Sequence, residues 1–440
     1  MKYRLIALLC VFASTAAAQL DSYLGPGILT RGAGDIGSRA GQEVNLRFYA
    51  GVSGVYDNGI EPLALDSKGN LAQVNGLYGV EADLGAYGTH QWRTALLGLD
   101  YRGSFTHYSQ QSYYDGTDHR LLLGYTYQKS RRLIFDLQET AGTYSSAIGS
   151  VPGAYVPISS VVGQPTSLLF DNRNYFGESA ASATYLLSAR TSVTAGGQGF
   201  LVRYRADGLV GVNGYGLRGS IQHRLSRATT IGAAYEHEHF DFPRAYGQSD
   251  IDTVMAVYGT QFGRHWTFSL DGGVFQAEVQ GIESVALDPS IAALLGVGTS
   301  TQRFYQKRIF PAGDVRLTRQ FKNASFSIFY NRSVTPGNGV YLTSRSELSG
   351  ASLDYTGIRK FSFSISGGEA SLASVGQSIQ GYRQFTGGAG MTYAITRALH
   401  FTARYDARHQ DITYAGFRRT SDRAMIGLIF SPGDVPLSLW

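Results

Sequence analysis

Long two-faced segments constrain this chain more than any other feature. From Val44 to Val52, the residues Val44, Leu46, Phe48, Ala50 and Val52 fall on one side of an extended chain. Asn45, Arg47, Tyr49, Gly51 and Ser53 fall on the other. Side chains of a strand alternate strictly between its faces, so the segment is a strand with one apolar and one polar face. The pattern recurs. Tyr78, Val80, Ala82, Leu84 and Ala86 oppose Gly79, Glu81, Asp83 and Gly85, and Leu97, Leu99, Tyr101 and Phe105 oppose Gly98, Asp100, Arg102, Ser104 and Thr106. Near the end, Phe401, Ala403, Tyr405 and Ala407 oppose Thr402, Arg404, Asp406 and Arg408.

Soluble sandwiches also alternate, with the apolar face inward. Three features favour a barrel whose apolar face points out into lipid. The runs have about 10 residues or more, against 5–6 in ordinary strands. Full charges stand mid-strand beside Gly and Ser, which suits a wet, crowded lumen. The connections also alternate in length. "QKSRR" near 130, "LSART" at 187, "LSRATT" at 225, "QFGRHW" at 261, "LTRQFKNA" at 317, "TGIRK" at 356 and "ITRAL" at 395 are short and mostly basic, and Gly- and Ser-rich loops lie between them, the largest at 145–175 and 280–305. Short turns on one side and long loops on the other are the habit of transmembrane barrels.

The expected fold is all-β: a closed antiparallel transmembrane β-barrel of about 18 strands (16–18), with short periplasmic turns and long extracellular loops. Strands are expected to begin near 44, 77, 95, 119, 132, 178, 191, 214, 229, 251, 266, 312, 325, 347, 361, 384, 400 and 421. The segments near 176–187 and 251–262 alternate poorly, and those after 268 and 326 call for a bulge.

Composition agrees. The 440 residues include 55 Gly, 29 Tyr and 23 Phe, with 16% charged. No segment approaches 18 consecutive apolar residues, so helical spans are not expected. Residues 1–18 carry Lys2 and Arg4, an apolar run from Leu5 to Ala13 and a small-residue end, which is the form of a signal peptide cleaved between Ala18 and Gln19. Its removal takes Cys10, the single cysteine, and two of the charges behind the net +5. The remaining excess is too small to argue for nucleic acid. Residues 19–42 then form an N-terminal periplasmic or luminal arm, 43–431 the barrel and 432–440 a periplasmic C-terminal tail. Pro432 cannot donate to a ladder, so pairing should stop near Ser431.

Trp92 and Trp266 each follow a short connection, and Trp440 ends the chain. If short turns share one side, all three indoles lie at one membrane interface. The polar face carries Arg47, Arg102, Arg218, Arg316, Arg404 and Arg408 against Glu81, Asp83, Asp100, Asp136, Asp314 and Asp406. These twelve are the expected pore-lining residues. Their balance points to cross-strand ion pairs bracing the wall more than to strong ion selectivity.

Signal, strands, turn rhythm and aromatic terminus together resemble outer-membrane β-barrel proteins of the porin-like class, over the whole mature chain. The "FSPG…PLxLW" ending is similar to that of poorly characterised Gram-negative barrels, some of which accompany exopolysaccharide export. The resemblance implies residence in the outer membrane beside lipid and lipopolysaccharide. It also implies recognition of the aromatic terminus by the barrel assembly machinery.

Other motifs have plain readings. "YEHEHFD" (235–241) puts His237 and His239 on one face and Glu236 and Glu238 on the other. Two such His bind Zn or Cu only with ligands from elsewhere, and a polar strand end is the simpler reading. "GAGDIG" (32–37) and "GVNGYG" (211–216) lack the strand and helix a phosphate loop needs. "ALDPSIAALLG" (286–296) has the caps of a short helix. No cofactor, metal or catalytic chemistry is expected. The expected function is passive, porin-like diffusion of small hydrophilic solutes. One alternative is a barrel partner in polysaccharide export, which predicts an occluded lumen. Another is a rim hydrolase, which predicts a Ser–His–acid cluster involving residues such as His107, His119 or His223.

Overall fold

The computed structural model describes residues 43–58, 76–109, 115–144, 173–286, 298–337, 339–340, 342–376, 381–412, 417–431 and 435–438. Nineteen strands run through them: β1 (Glu43–Asp57), β2 (Leu77–Gln91), β3 (Ala95–Tyr108), β4 (Gly116–Gln128), β5 (Leu133–Tyr144), β6 (Asn174–Leu186), β7 (Thr191–Tyr204), β8 (Val212–Arg224), β9 (Thr229–Phe242), β10 (Gly247–Phe262), β11 (Trp266–Ala286), β12 (Thr299–Gln320), β13 (Ala324–Thr335), β14 (Ser344–Tyr355), β15 (Phe361–Ser374), β16 (Tyr382–Ala394), β17 (Leu399–Ile412), β18 (Phe417–Phe430) and β19 (Val435–Ser438). β1 to β18 pair antiparallel in chain order, and β18 pairs back onto β1 from Ala50↔Phe430 to Asp57↔Arg423. The sheet is therefore a closed 18-strand antiparallel β-barrel. β5, β13 and β14 are the shortest of the eighteen at 12 residues. At about 3.3 Å per residue and a tilt near 40°, even these cross an apolar band of about 25 Å.

The connections sort by side. Those after β2, β4, β6, β8, β10, β12, β14 and β16 have three to five residues. Four share one construction. The hydroxyl of Ser130, Ser188, Ser226 or Thr396 accepts the backbone N–H groups two and three residues on, at 2.9–3.2 Å. A hydroxyl can take the place of a backbone acceptor in this way, so the resemblance among "KSRR", "LSART", "LSRAT" and "ITRAL" is a repeated turn chemistry. Gly263 fills the left-handed position (φ 66) in the turn after β10. On the other side the connection after β5 spans residues 145–173, while those after β9 (243–246) and β17 (413–416) are as short as the turns opposite.

Residues directly paired across a ladder point the same way. Followed rung by rung from β1 to β18, the registers keep one face consistent around the whole barrel. One face exposes Phe48, Val52, Tyr78, Val80, Leu84, Leu217, Ile365, Ile426 and Leu428. The other collects Arg47, Glu81, Asp406, Arg408 and Arg423, all buried. Side chains of this second face from separate parts of the wall, Phe176 on β6 and Phe275 on β11, share one cluster, so this face is the interior. The polar side is inside and the apolar side outside, the arrangement suited to hydrocarbon.

Two expectations are corrected. Pairing does not stop at Ser431, because β19 resumes on β1 from Leu46↔Val435 to Glu43↔Ser438. The register there differs by one residue from that of β18. Pro436 is tolerated opposite Asn45 because β19 pairs only with β1. β12 begins at Thr299, not near 312, and runs through Pro311. The bulges expected after 268 and 326 are absent, since β11 and β13 keep one register throughout. The weakly alternating stretches 176–187 and 251–262 lie in the regular strands β6 and β10. The signal segment, the 19–42 arm, Trp440 and, apart from Ala286, the 286–296 segment expected as a short helix fall outside the described residues.

Val52 stands mid-strand on the outer face, 59% exposed, beside Leu428. Val52→Arg is expected to lower unfolding free energy by about 2–4 kcal/mol in lipid vesicles, the cost of a cation near the midplane. Denaturant titration of the folded barrel measures it.

Candidate functional site: the barrel interior

All twelve charged residues singled out in the sequence fall on the inward register. Asp100 and Arg102 form an ion pair at 2.7 Å, and Arg404 Nε meets Asp406 Oδ2 at 2.8 Å. Both pairs run along one strand (i, i+2) rather than across two. Asp136 accepts from Thr126 at 2.7 Å, and Asp314 accepts from Asn331 at 3.0 Å opposite Asp271 on β11. Arg218 on β8 lies opposite Glu236 on β9, Arg316 opposite Ser269, Asp83 opposite Gly51 and Ser104, and Arg47 opposite Tyr87. Arg408 is buried opposite Ser421.

The tightest interior cluster was missed in the sequence. Arg423 on β18 reaches Glu81 on β2 in a short ion pair and Asp57 on β1 at 3.9 Å. Glu81 also accepts from Thr106 at 2.7 Å, and Asp57 from Tyr108 at 3.5 Å. All five side chains are buried. The cluster sits where the barrel closes, joining β18, β1, β2 and β3. The alternation of Arg419, Ser421 and Arg423 in "FRRTSDRAM" marks these as inward residues, but their partners lie far away in sequence. Glu178, Glu236 and Glu238 gather on β6 and β9, with Gln198 donating to Glu238 at 3.4 Å. Gln384 and Gln410 are buried together at 2.9 Å.

Water access changes along the axis. From mid-strand toward the short turns the inner face is mixed: Arg218, Asp354, Ser364 and Arg404 are exposed, while Arg47, Tyr87, Ile134, Ser362, Thr392 and His400 are buried. Toward the long loops, inward Asp57, Leu77, Tyr108, Phe240, Leu372 and Gln410 are buried. Phe200, Phe240, Phe242, Ile251, Phe275 and Val279 form an apolar cluster inside that end. Connections fold in over it. The residue-336–343 connection presents Gly339 O to Val210 N at 3.0 Å, on the connection between β7 and β8. Gly339 has φ 85, and a Cβ there would strike the Tyr204 ring. Thr343 shares a short hydroxyl contact with Ser249 on β10 and accepts from Val375 N at 2.9 Å. Loops therefore narrow the lumen at this end.

His237 and His239 point outward and pair with Asp252 at 3.0 Å and Asp250 at 2.7 Å. Among the described residues, no group of three or more His, Cys, Asp or Glu is placed to hold a metal. His107 contacts Asp115, His119 contacts Tyr101, and His223 contacts Thr191. Trp92, just past β2, meets His90 edge-on at 4.2 Å. Trp266, opening β11, stacks on Phe262 at 5.7 Å beneath Arg319 at 4.7 Å. Both indoles lie beside short turns.

Arg423→Met leaves Glu81 and Asp57 buried without their cation, and a loss of about 3–5 kcal/mol is expected. The Glu81→Gln/Arg423→Met double variant should recover part of it, read as the denaturant midpoint of the folded barrel. Arg218→Glu adds a carboxylate to the group at Glu178, Glu236 and Glu238. Reversal potentials across a salt gradient should then shift toward cation preference, and the shift should fade at high salt.

No family model matches the sequence, and no curated protein matches it. Among solved structures the chain is similar to OpdQ of Pseudomonas aeruginosa, at 10% identity over 90% of this chain and 98% of that one, with a TM-score of 0.41. It is similar to a BenF-like porin from Pseudomonas fluorescens Pf-5, at 11% identity over 89% and 100%, with a TM-score of 0.41. A bacterial polysaccharide outer membrane secretin aligns at 8% identity over 87% and 97%, with a TM-score of 0.33. Likeness this distant goes no further than the barrel architecture itself.

Proposed function

We propose that this chain is an outer-membrane channel through which small hydrophilic solutes diffuse passively. One observation carries the reading: a closed 18-strand barrel whose outer face is apolar and whose inner face is charged and, around Arg218, Asp354 and Arg404, open to water. An interior of this width leaves room for an aqueous path. Its lining includes Arg218 and Arg404, with Asp83 and the Asp100–Arg102 pair on other strands of the same inward face. The covered end limits the size of what passes, so the solutes are small. No covalent step is needed, and the protein is not an enzyme on this reading.

The orientation follows from the turns. Short turns face the periplasm, with Trp92 and Trp266 at that interface. The narrowed end faces outward among lipopolysaccharide headgroups. Delivery to this membrane calls for the signal segment, and insertion for the barrel assembly machinery.

The covered mouth also supports a second reading, a barrel component of polysaccharide export that opens only with its partners. Planar-bilayer recording of the folded protein separates the two. Stable, ohmic conductance steps are expected for the channel. A heat-modifiable, correctly folded barrel that gives no steps overturns it and favours export.

A further inference from the structure

Between β12 and β13 the wall leaves the continuous ladder. β12 pairs with β11 along nearly its full length, from Trp266↔Arg319 to Ala286↔Thr299, but with β13 only from Gly313↔Arg332 to Gln320↔Ser325. Above Gly313 the β12 residues 299–312 have no rung to β13, which itself continues to Thr335 paired with β14. Pro311, just beyond the last rung, brings no N–H to such a rung, and proline sits in strands where an edge is free. The divergence starts near the upper limit of the apolar exterior. On the neighbouring rungs Val274 is outward and half-exposed, and Gln276 and Glu278 follow it.

The two sides of this seam overlap rather than meet edge to edge. By register Val334 lies on the outward face of β13, opposite in sense to Asn331. Yet it is 5% exposed and shares the cluster of inward Phe275, Ala277 and Val279 of β11. Phe310 and Phe304, inward on β12, pack against the same cluster, and Arg345 on β14 stands over Phe310 at 5.7 Å. The inner face of β11–β12 thus laps over the outer face of β13–β14, with apolar side chains between. A cavity of about 30 Å³ lies within the lap, lined by Val279, Phe304, Leu342, Thr343 and Ser249. At its outer side Arg332 and Arg345 share one carboxylate, Glu347, at 3.4 and 3.3 Å. Two guanidiniums on one carboxylate leave a positive charge in surplus, and neither Nε makes a hydrogen bond.

We propose that this lapped seam is a lateral portal that binds an anionic single-chain amphiphile, its alkyl chain in the apolar lap and its carboxylate or phosphate head at Arg332 and Arg345. The site opens toward the outer leaflet instead of into the lumen, so its test does not require the channel reading to hold. The joint is held by side-chain packing instead of backbone rungs, and packing can part without breaking a ladder. A chain that has entered the lap meets Phe310, Val334 and Phe304 beside the cavity, and the surplus charge selects the head.

The test uses the full barrel in lipid nanodiscs and a dodecanoate carrying a photoreactive diazirine, with labelled peptides read by mass spectrometry. Labelling is expected on the β12 and β13–β14 peptides containing Phe304, Phe310 and Val334. Dodecanoate and dodecyl phosphate should both compete, and dodecyltrimethylammonium should not. If only one of the two anions competes, the head is assigned to that chemistry. Labelling should fall at least five-fold in Arg332→Gln/Arg345→Gln. A second variant guards against misfolding. Ser249 and Thr343 touch through their hydroxyls, so Ser249→Cys/Thr343→Cys can be bridged, and the only native cysteine is Cys10, ahead of the barrel. Oxidation should reduce labelling at least five-fold and reduction should restore it, in one folded preparation. Conductance of the same preparation reports separately on the aqueous path. Labelling spread evenly over the outer wall, or unchanged by both variants, overturns the portal.

Discussion

Backbone pairing is the constraint on which everything else rests. In hydrocarbon an unpaired N–H or C=O costs several kcal/mol, so a sheet crossing lipid must close and stay closed through its apolar band. Closure falls to β1 and β18, the most distant strands in sequence. Their ladder is reinforced inside by Arg423, Glu81 and Asp57. At one end Asn58 and Asp422 exchange hydrogen bonds, Asn58 N donating to Asp422 O at 3.0 Å. At the other, β19 continues the pairing on β1 in a register shifted by one residue. The long free edge of β12 obeys the same rule. It lies above the apolar band and presents Arg303 and Lys307 outward, charges that blunt an open edge.

Closure also decides what each face of a strand does. Outside, residues need only be apolar, and Val, Ile, Leu, Phe and Tyr interchange there. Inside, the wall's curvature crowds side chains together, so each charge needs a partner or water. At the closing seam the partner is a carboxylate. Midway along β8 and β17 Arg218 and Arg404 are exposed, and Arg404 is held by Asp406 as well. Toward the long loops the interior turns apolar, because Phe240, Phe242 and Phe275 face inward where folded-in connections exclude solvent. One barrel thus holds a partly wet half and a packed half.

How far the sequence disclosed this follows from the same physics. Strand count and most strand starts were legible because two unlike environments enforce a period of two along every strand. The start of β12 was misplaced because Pro311 resembles a strand break. Only knowing that β13 turns away there makes it an edge position, and an edge is a property of the fold. The infolded mouth carried a faint signal. "HEHFDF" is apolar on its inward face as well, through Phe240 and Phe242, which departs from the wet-lumen pattern. Parity put His237 and His239 together on one face. Their Asp252 and Asp250 partners needed the β9–β10 register, which no local pattern supplies. The Arg423 cluster was illegible for a stronger reason: its ligands come from opposite ends of the chain and meet only after closure.

The packed half bears on function more than the wet half does. A wide, polar, water-filled cylinder would need no apolar cluster across its mouth and no interruption of its wall. Here the cluster spans the wall from β6 to the end of β15, the interruption falls inside that arc between β12 and β13, and one feature links the two. β13 and β14 lean inward, so their connection reaches the β7–β8 side and covers the lumen, while the same lean parts β13 from β12. Had β13 followed β12 to its full height, the wall would be whole and the mouth wider. The aqueous path and the lateral seam are therefore coupled through the position of β13 and β14. Any motion that returns them toward the wall widens the first and closes the second.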